Sequence, residues 1–283
     1  MELRGTLKGK VAVVTGGSRG VGRGIALGLG EAGATVYVTG RTTEKGTGPF
    51  AGSILETAEE ITRLGGEGIA VRVDHRSDAE VQALFTRIAS ERKTLDILVN
   101  NVFLIPDGPL HGVPFWEQPI SIWDDMHAVG LRSHYVASVY AAPLMITKPG
   151  GLIVNVSSIG GLGFALNVAY GVGKAGVDRL AADMAHDLRP HGITVVSLWP
   201  GVVSTERVMA TKDSLPFSIK HAESPQFSGR AVAALAGDPK RMDVTGSVVV
   251  SAELGELYGF TDLDGSRPRS LRKQIARAKG ATS

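Results

Sequence analysis

Tyr170 and Lys174 have the residue types and the spacing that a proton-transfer site needs. They lie four residues apart near the start of a helix predicted over residues 169–188, so their side chains share one helix face. A phenol with a pKa of about 10 is a poor acid or base at neutral pH, and a neighbouring ammonium favours the phenolate. We therefore predict that Lys174 lowers the pKa of Tyr170. Because this spacing is also common by chance, the pair alone does not identify an enzyme.

A glycine-rich segment, residues 15–22, follows a strand predicted at Val11–Thr15 and opens into a predicted helix. Gly16 permits a tight turn, Gly20 lets the backbone approach a pyrophosphate, and Gly22 allows the helix to pack closely. The N–H groups at the start of the helix then offer a site for phosphate. A tight turn in another kind of α/β protein is the alternative, and the position directly after the first strand favours dinucleotide binding. The predicted cofactor contacts here are Gly16, Ser18, Arg19, Gly20, Val21 and Gly22.

The end of the second predicted strand indicates which nicotinamide cofactor is bound. An NAD enzyme usually places a carboxylate there for the ribose 2′-hydroxyl, whereas this chain has Gly40 and Arg41. The guanidinium groups of Arg41 and Arg19 would bind a 2′-phosphate through forked hydrogen bonds, which favours NADP(H) over NAD(H). Arg41 as an ordinary surface residue is the alternative. Asp74 and His75 follow the third strand, where Asp74 would accept from an adenine amine or serve as a turn residue.

Predicted strands and helices alternate along the chain, which indicates a doubly wound parallel sheet of the Rossmann type. Right-handed crossovers favour the strand order 3-2-1-4-5-6-7 in a single α/β domain spanning residues 1–283. Residues 206–228 are predicted to form a mobile substrate lid, and residues 253–283 a C-terminal extension. The strands are predicted at 11–15, 35–39, 68–73, 95–99, 152–156, 192–198 and 247–251, and the main helices at 21–32, 52–64, 78–90, 120–147 and 169–188.

Composition excludes several classes of protein. Apolar residues make up 43% of the chain, charged residues 20%, and the formal net charge is +2, so we expect a folded protein that does not bind nucleic acid. Cysteine is absent, which excludes disulfides and cysteine-ligated metal, and no metal site is predicted. Without a run of about 18 apolar residues, no membrane span is expected, and a cytoplasmic location is predicted. The basic residues 267–279 suggest a solvated helix face, with membrane-surface contact as the minor alternative.

Polar and glycine-containing segments also follow other predicted strands, at Asn101, at Ser158 and at residues 199–205. The carboxyl ends of parallel strands meet at one edge of the sheet, where ligands bind in this architecture. Together with the glycine-rich segment and the tyrosine–lysine pair, they resemble the short-chain dehydrogenase/reductase family, in its branch with the T-G-x-x-x-G-x-G loop. The resemblance covers roughly residues 8–252.

Shorter segments resemble one branch of that family, called dehydrogenase/reductase member 1. This resemblance implies NADPH-linked reduction of carbonyl compounds, with steroids and other hydrophobic ketones as candidate substrates. It also implies a homo-oligomer, either a dimer or a tetramer. The segments are residues 115–117, 123–125, 129–132, 170–174, 197–201 and 258–265.

The family resemblance implies a role for each candidate residue. Tyr170 would be the general acid in reduction and the base in oxidation, while Lys174 would tune it and hold the nicotinamide ribose. Ser158 would hold the substrate oxygen, because it keeps the preceding strand in register with the family. Counting back from Tyr170 by the family's usual spacing favours Ser157 instead. The further residues implied to contact the cofactor are Asn101, Val102, Pro200, Gly201, Val203 and Thr205.

Two positions depart from the family pattern. Phe103 stands where small residues are usual, and it would face the substrate or belong to the core. Gly130 stands where the family has an asparagine that anchors a water in a proton relay. The glycine still permits a distorted helix, and its carbonyl or a water would replace the side chain. Gly130 is also the support for the alternative function, a non-catalytic NADP(H)-binding regulatory or structural subunit.

Overall fold

The computed structural model describes residues 3–46, 50–106, 112–215 and 218–280. Its centre is a sheet of seven parallel strands in the order β3-β2-β1-β4-β5-β6-β7 with helices on both faces, which confirms the predicted doubly wound fold and strand order. The strands are β1 (Val11–Thr15), β2 (Thr35–Gly40), β3 (Glu67–Arg72), β4 (Ile97–Asn100), β5 (Leu152–Val156), β6 (Thr194–Trp199) and β7 (Val248–Val250). The helices are α1 (Gly20–Glu31), α2 (Ile54–Leu64), α3 (Asp78–Arg92), α4 (Ser121–His127), α5 (Ser133–Met145), α6 (Val168–Leu188), α7 (Glu206–Ala210), α8 (Pro225–Gly237), α9 (Ser251–Tyr258) and α10 (Leu271–Gly280).

The central strands consist mostly of apolar and β-branched residues, because helices cover both faces of the sheet. Every residue of β1, β4, β5 and β6 is buried. The register pairs Val14 with Val99 across β1 and β4, and Asn100 with Asn155 across β4 and β5. The carboxyl ends of these strands therefore lie side by side, and the segments that follow them share one edge of the sheet.

Side-chain caps fix where several helices begin. The Ser77 hydroxyl accepts a hydrogen bond from the Glu80 N–H at 3.3 Å, as the sequence predicts for the start of α3. Asn167 caps α6 in the same way, accepting from the Tyr170 N–H at 2.8 Å. This cap sets the position of Tyr170 in the first turn of α6.

The helix predicted over residues 120–147 is found as a continuous helical run over residues 121–145, in which the hydrogen-bonding pattern changes from α to π and back to α. Between α4 and α5 lies a π-helical segment, Ala128–Arg132, which contains Gly130. A π-helical turn is a known cause of a change in helix direction. Hydrophobic periodicity predicts a helix but not its hydrogen-bonding pattern, so the sequence does not distinguish this segment from α-helix.

Helix α8 overlaps the segment predicted as a mobile lid, residues 206–228. Its first turn buries Phe227 and Ser228, so any lid must end before Pro225. Helices α1 and α8 cross at backbone contact, because a Cβ placed on Gly28 would lie 2.5 Å from the carbonyl carbon of Gly229. Similarly, the proposed C-terminal extension begins inside α9, whose residue Leu254 is part of the core.

Candidate active site

The glycine-rich segment forms a compact turn between β1 and α1. Gly16 and Gly20 have φ angles of +69° and +57°, in the left-handed region that glycine adopts without strain. The Asn101 side chain, at the end of β4, holds this turn by donating to the carbonyl oxygens of Thr15 at 2.9 Å and Gly16 at 3.0 Å. Residues more than eighty positions apart are thus joined at one edge of the sheet.

Gly22 allows α1 to approach this turn closely. A Cβ at that position would lie 2.2 Å from the Asn101 Nδ2 and 2.3 Å from the Gly16 oxygen. Both atoms belong to the hydrogen bond that holds the turn, so neither can move without breaking it. The structure therefore gives a steric reason for a glycine at this position.

A carboxylate lies at the N-terminus of α1. Glu206 Oε2 accepts a hydrogen bond from the Gly20 N–H at 2.9 Å. The start of a helix stabilises negative charge, and it is where phosphate binds in proteins with this fold. No local motif signals this contact, because Glu206 and Gly20 are far apart along the chain.

A cleft of about 850 Å³ opens at this edge of the sheet. Its length runs from the end of β2 across the start of α1 to the segment after β4. The volume and the position of this cleft are suited to an extended dinucleotide, since ligand pockets are typically about 300–1,000 Å³. The predicted cofactor residues that line it are Gly16, Ser18, Arg19, Gly20, Val21, Gly22, Arg41, Asp74, His75, Asn101, Val102 and Thr205.

Two guanidinium groups lie at the end of the cleft beside β2. Arg41 is exposed and directly follows Gly40, the last residue of β2. Arg19 donates from Nη2 to the Thr42 hydroxyl at 3.1 Å and to the Gly52 carbonyl at 3.4 Å. Burial lowers the pKa of Arg19, and the neighbouring Glu206 carboxylate acts in the opposite direction.

Asp74 and His75 both line the cleft but are engaged within the protein. The Asp74 Oδ1 accepts from the Arg76 N–H at 3.0 Å, which is the turn interaction that the sequence left as an alternative. The His75 Nε2 lies 2.7 Å from the Thr39 hydroxyl. Burial lowers the pKa of His75 to about 4, so its ring is neutral at pH 7.

The candidate catalytic side chains meet beyond the carboxyl end of β5 and at the first turns of α6. The Ser158 hydroxyl lies 2.8 Å from the Tyr170 phenol oxygen. The Ser157 hydroxyl instead donates to the Lys174 carbonyl at 3.0 Å and is buried against α6. Of the two serines that the sequence left open, the structure brings Ser158 to the tyrosine.

Lys174 is buried, and its ammonium donates to the Val156 carbonyl at 3.2 Å. Burial lowers the pKa of Lys174 to about 8, while Asp178 raises it. The predicted lowering of the Tyr170 pKa is not found in the chain alone. Burial raises the pKa of Tyr170, and the hydrogen bond with Ser158 lowers it by less. The lysine Nζ lies 5.7 Å from the centre of the tyrosine ring.

Phe103 belongs both to the lining of the cleft and to a small apolar cluster. It lines the cleft, and it also packs with Ile122 and Met126 in a small apolar cluster. Its ring meets Tyr170 edge-on at 5.8 Å between centres. The two roles that the sequence left open, cleft-facing and core, therefore coexist. Three other aromatic side chains, Phe115, Trp116 and Phe164, are strongly exposed.

Glu223 holds the segment that follows β6 through hydrogen bonds. Its backbone N–H donates to the Val202 carbonyl at 2.8 Å, and its carboxylate accepts from the Ser251 hydroxyl at 2.9 Å. Burial raises the pKa of Glu223 to about 7. Pro200 and Val203 are buried in this segment, and Gly201 lies against the Glu223 carboxylate. Of the residues predicted here as cofactor contacts, Thr205 lines the cleft, whereas Pro200, Gly201 and Val203 do not.

The glycine-rich turn between β1 and α1, the cleft and the tyrosine–lysine pair are the features of one class of protein. Together they define a nicotinamide-dependent oxidoreductase on a doubly wound sheet. The family model described as short chain dehydrogenase matches residues 10–215. Dehydrogenase/reductase SDR family member 1 of Mus musculus is 48% identical over 273 residues, which cover 92% of this chain and 85% of that protein. The Homo sapiens protein of the same name is 45% identical over the same shares. This chain belongs to the short-chain dehydrogenase/reductase family, and its predicted resemblance to the member 1 branch is confirmed.

A solved structure supports the fold separately. The crystal structure of a putative dehydrogenase from Xanthomonas campestris superposes with a TM-score of 0.79, covering 92% of this chain and 94% of that one, at 24% identity. Within the described ranges, no helix is long and apolar enough to span a membrane. Over the same residues, no group of three or more histidine or acidic side chains is placed to hold a metal ion.

Proposed function

We propose that this chain is an NADP(H)-dependent oxidoreductase that transfers a hydride between nicotinamide and the carbonyl or secondary alcohol of a hydrophobic small molecule, such as a ketone or a steroid. The observation that carries the proposal is the 2.8 Å contact between Ser158 and Tyr170, one helical turn from the buried Lys174. The residues of the cleft fit a dinucleotide, because the start of α1 and the turn at Gly16 and Gly20 present backbone to it.

The nicotinamide supplies or accepts the hydride when it is bound. The Ser158 hydroxyl holds the substrate oxygen beside Tyr170. The Tyr170 phenol donates a proton to that oxygen in reduction, and the Tyr170 phenolate accepts the proton of the alcohol in oxidation. Lys174 provides a positive charge beside the tyrosine and would hold the nicotinamide ribose. Thr205 and the backbone from Pro200 to Val203 support the carboxamide side of the site.

An assay for NADPH consumption with a panel of ketones tests the activity. The panel contains cyclohexanone, acetophenone and a 3-ketosteroid, and Tyr170→Phe is compared with the wild type. Loss of the general acid is expected to reduce kcat by about 10²–10⁴-fold, while NADPH affinity stays within a few-fold. Tyr140→Phe, which removes a phenol away from the cleft, is the matched control.

Two results would contradict the catalytic proposal. Equal slow NADPH consumption by wild type and Tyr170→Phe would exclude Tyr170 as the acid. Tight NADPH binding with no turnover of any ketone in the panel would favour the alternative, a non-catalytic NADP(H)-binding subunit.

The preference for NADP(H) is supported by Arg41 and Arg19, which lie at the β2 end of the cleft, and by residues 40–43 at the end of β2, which include no carboxylate. Arg41→Asp is expected to shift the ratio of kcat/KM values toward NADH by one to two orders of magnitude, on the order of 1.4–3 kcal/mol. Arg87→Asp, on α3 and away from the cleft, makes the same charge change as a control. Unchanged selectivity in Arg41→Asp would remove the basis of the NADP(H) assignment.

A hydrophobic substrate is supported by exposed apolar side chains near the reacting pair. Leu162 and Phe164 lie on the segment between Ser158 and Tyr170, and Met209 lies on α7 beyond Thr205. Since large exposed apolar groups near a site favour apolar ligands, Phe164→Ser should raise KM for the steroid more than for cyclohexanone. An equal change for both ketones would contradict the hydrophobic-substrate proposal.

A homo-oligomer, dimer or tetramer, is supported by one face of α5. Tyr135 and Val139 are exposed there one helical turn apart, and Ile146 is exposed directly after the end of α5. Multi-angle light scattering at micromolar concentration should give at least twice the 29.6 kDa chain mass. We also propose a cytoplasmic location, which cell fractionation tests directly.

A further inference from the structure

Phe103 and Gly130 form a matched pair. A Cβ placed on Gly130 would lie 2.5 Å from Phe103 Cδ2 and 2.7 Å from Cε2, which are overlapping positions. The Phe103 ring therefore occupies the space that any side chain at residue 130 would need. The sequence shows these two positions as separate departures from the family pattern, and the structure joins them.

The ring is not free to move out of that space. The Phe103 and Tyr170 rings are in T-shaped contact, with an angle of 79° between their planes. Ile122 and Met126 pack in the same apolar cluster. The ring face lies 4.6 Å from the Lys174 Nζ, within the range of a cation–π contact. A residue at 130 with a side chain would displace the ring from the tyrosine and the lysine together.

Lys174 has few other partners in the described part of the chain. Its ammonium donates a hydrogen bond to the Val156 carbonyl at 3.2 Å, and Asp178 is the acidic group that interacts with it from the next turn of α6. On α5, His134 is completely buried, and burial lowers its pKa to about 3, so it brings no positive charge at pH 7. The aromatic face of Phe103, at 4.6 Å, therefore adds a favourable contact to a buried ammonium whose other aromatic neighbour, the Tyr170 ring, lies farther away at 5.7 Å.

We infer that Phe103 is a positioning residue, which holds the Lys174 ammonium beside Tyr170 through its ring face and which requires glycine at residue 130. The inference rests on the proposed function, in which Lys174 provides a fixed positive charge. A phenyl face stabilises a charge but neither accepts nor donates a proton. Lys174 is consequently held in place without a proton path through residue 130, and Gly130 is compatible with an active enzyme.

Thermal unfolding tests the shared space without any substrate. Gly130→Ala alone should lower Tm by roughly 2–8 °C, because overpacking outweighs the benefit of alanine in a helix. In a Phe103→Ala background the same change should leave Tm unchanged or raise it, because the ring is gone. Phe103→Val serves as the background if the alanine variant does not fold. An equal fall in Tm in both backgrounds would overturn the pairing.

Titration of Lys174 by NMR of protein labelled at the lysine ε-carbon tests the contact with the charge. Lys174→Arg identifies the signal. Phe103→Leu should lower the pKa of Lys174 by about half to one pH unit, since the ammonium loses the ring face. Phe103→Tyr, which keeps the ring, and Met126→Leu, which alters the same cluster, should leave it unchanged. A purely structural role would change Tm in Phe103→Leu without moving this pKa, and that result would overturn the inference.

Neither measurement depends on turnover. If both succeed and no ketone is reduced, the proposed function fails while the contact between Phe103 and Lys174 stands. If ketones are reduced but the pKa of Lys174 does not respond to Phe103, the proposed function stands and the inference fails.

Discussion

The two halves of the site are built from different materials. The cofactor half, around Gly16, Gly20 and Gly22, presents backbone atoms, and its geometry depends on the absence of side chains. The reacting half, around Tyr170 and Lys174, is built from side chains that contact one another. A backbone site tolerates few replacements, because each added atom displaces the chain itself. A side-chain site can be rebuilt when two contacting residues change together.

Gly22→Ala should have the largest effect of three substitutions in the site, and this effect is on NADPH affinity. A small effect would contradict the view that the backbone-built half tolerates few replacements. The new Cβ overlaps the Asn101 amide and the Gly16 oxygen, so the turn must open. We expect NADPH affinity, measured by fluorescence titration, to fall on the order of 100-fold, about 2.7 kcal/mol. Gly163→Ala is the control, because no atom lies within 4 Å of its added Cβ. A change below threefold in Gly22→Ala would show that the turn can adapt.

The alkaline limb of the pH–rate profile tests the other half of the site, around Tyr170 and Lys174. Burial lowers the pKa of Lys174 to about 8, so the ammonium is present below that pH and is lost as the pH rises through it. The pKa of Tyr170 is raised, so the phenol keeps its proton longer. Steady-state kcat/KM for ketone reduction should therefore fall about tenfold per pH unit above roughly pH 8.

Lys174→Arg provides the control for this limb. An arginine stays protonated throughout the measured range, so the variant should lose the limb even though its overall rate is lower. A wild-type profile that stays flat between about pH 7 and pH 9.5 would show that the charge of Lys174 does not limit the reaction.

Glu206→Gln should have the smallest effect of the three on the measured quantity, which is again NADPH affinity. Glu206 lies where the two halves of the site adjoin. The Glu206 carboxylate accepts from the Gly20 N–H at the start of α1, where a phosphate would bring a second negative charge. Removing the carboxylate charge should strengthen NADPH binding by about threefold to tenfold, on the order of 1 kcal/mol. Isothermal titration at two salt concentrations measures the effect, which should shrink at high salt. Weaker binding of NADPH by Glu206→Gln would contradict it.

The sequence predicts the sheet well because buried parallel strands have a strong local pattern. Strand β5 is predicted with its correct ends, Leu152 and Val156. Helix α8 is not predicted, since it is small-residue-rich and buried where it crosses α1, and neither Gly229 nor Gly237 favours a helix. The amphipathic pattern that indicates a surface helix is absent from such an element.

The candidate site divides in the same way. The glycine turn and the tyrosine–lysine pair can be predicted, because each is a local motif with fixed spacing. The contact of Glu206 with Gly20 and the overlap of Phe103 with residue 130 cannot, because they join distant segments through packing alone. Even the choice between Ser157 and Ser158 depends on the loop before α6, whose length the spacing does not fix.

The overlap between Phe103 and residue 130 also constrains the history of the sequence. A phenylalanine can enter position 103 with its present ring position only when residue 130 already lacks a side chain. The reverse order would require an intermediate in which ring and side chain compete for one space. Related chains should accordingly include some with a small residue at 103 and glycine at 130, and few with a large aromatic residue at 103 and asparagine at 130. Once the ring is in place, the glycine is retained, and the substitution becomes difficult to reverse.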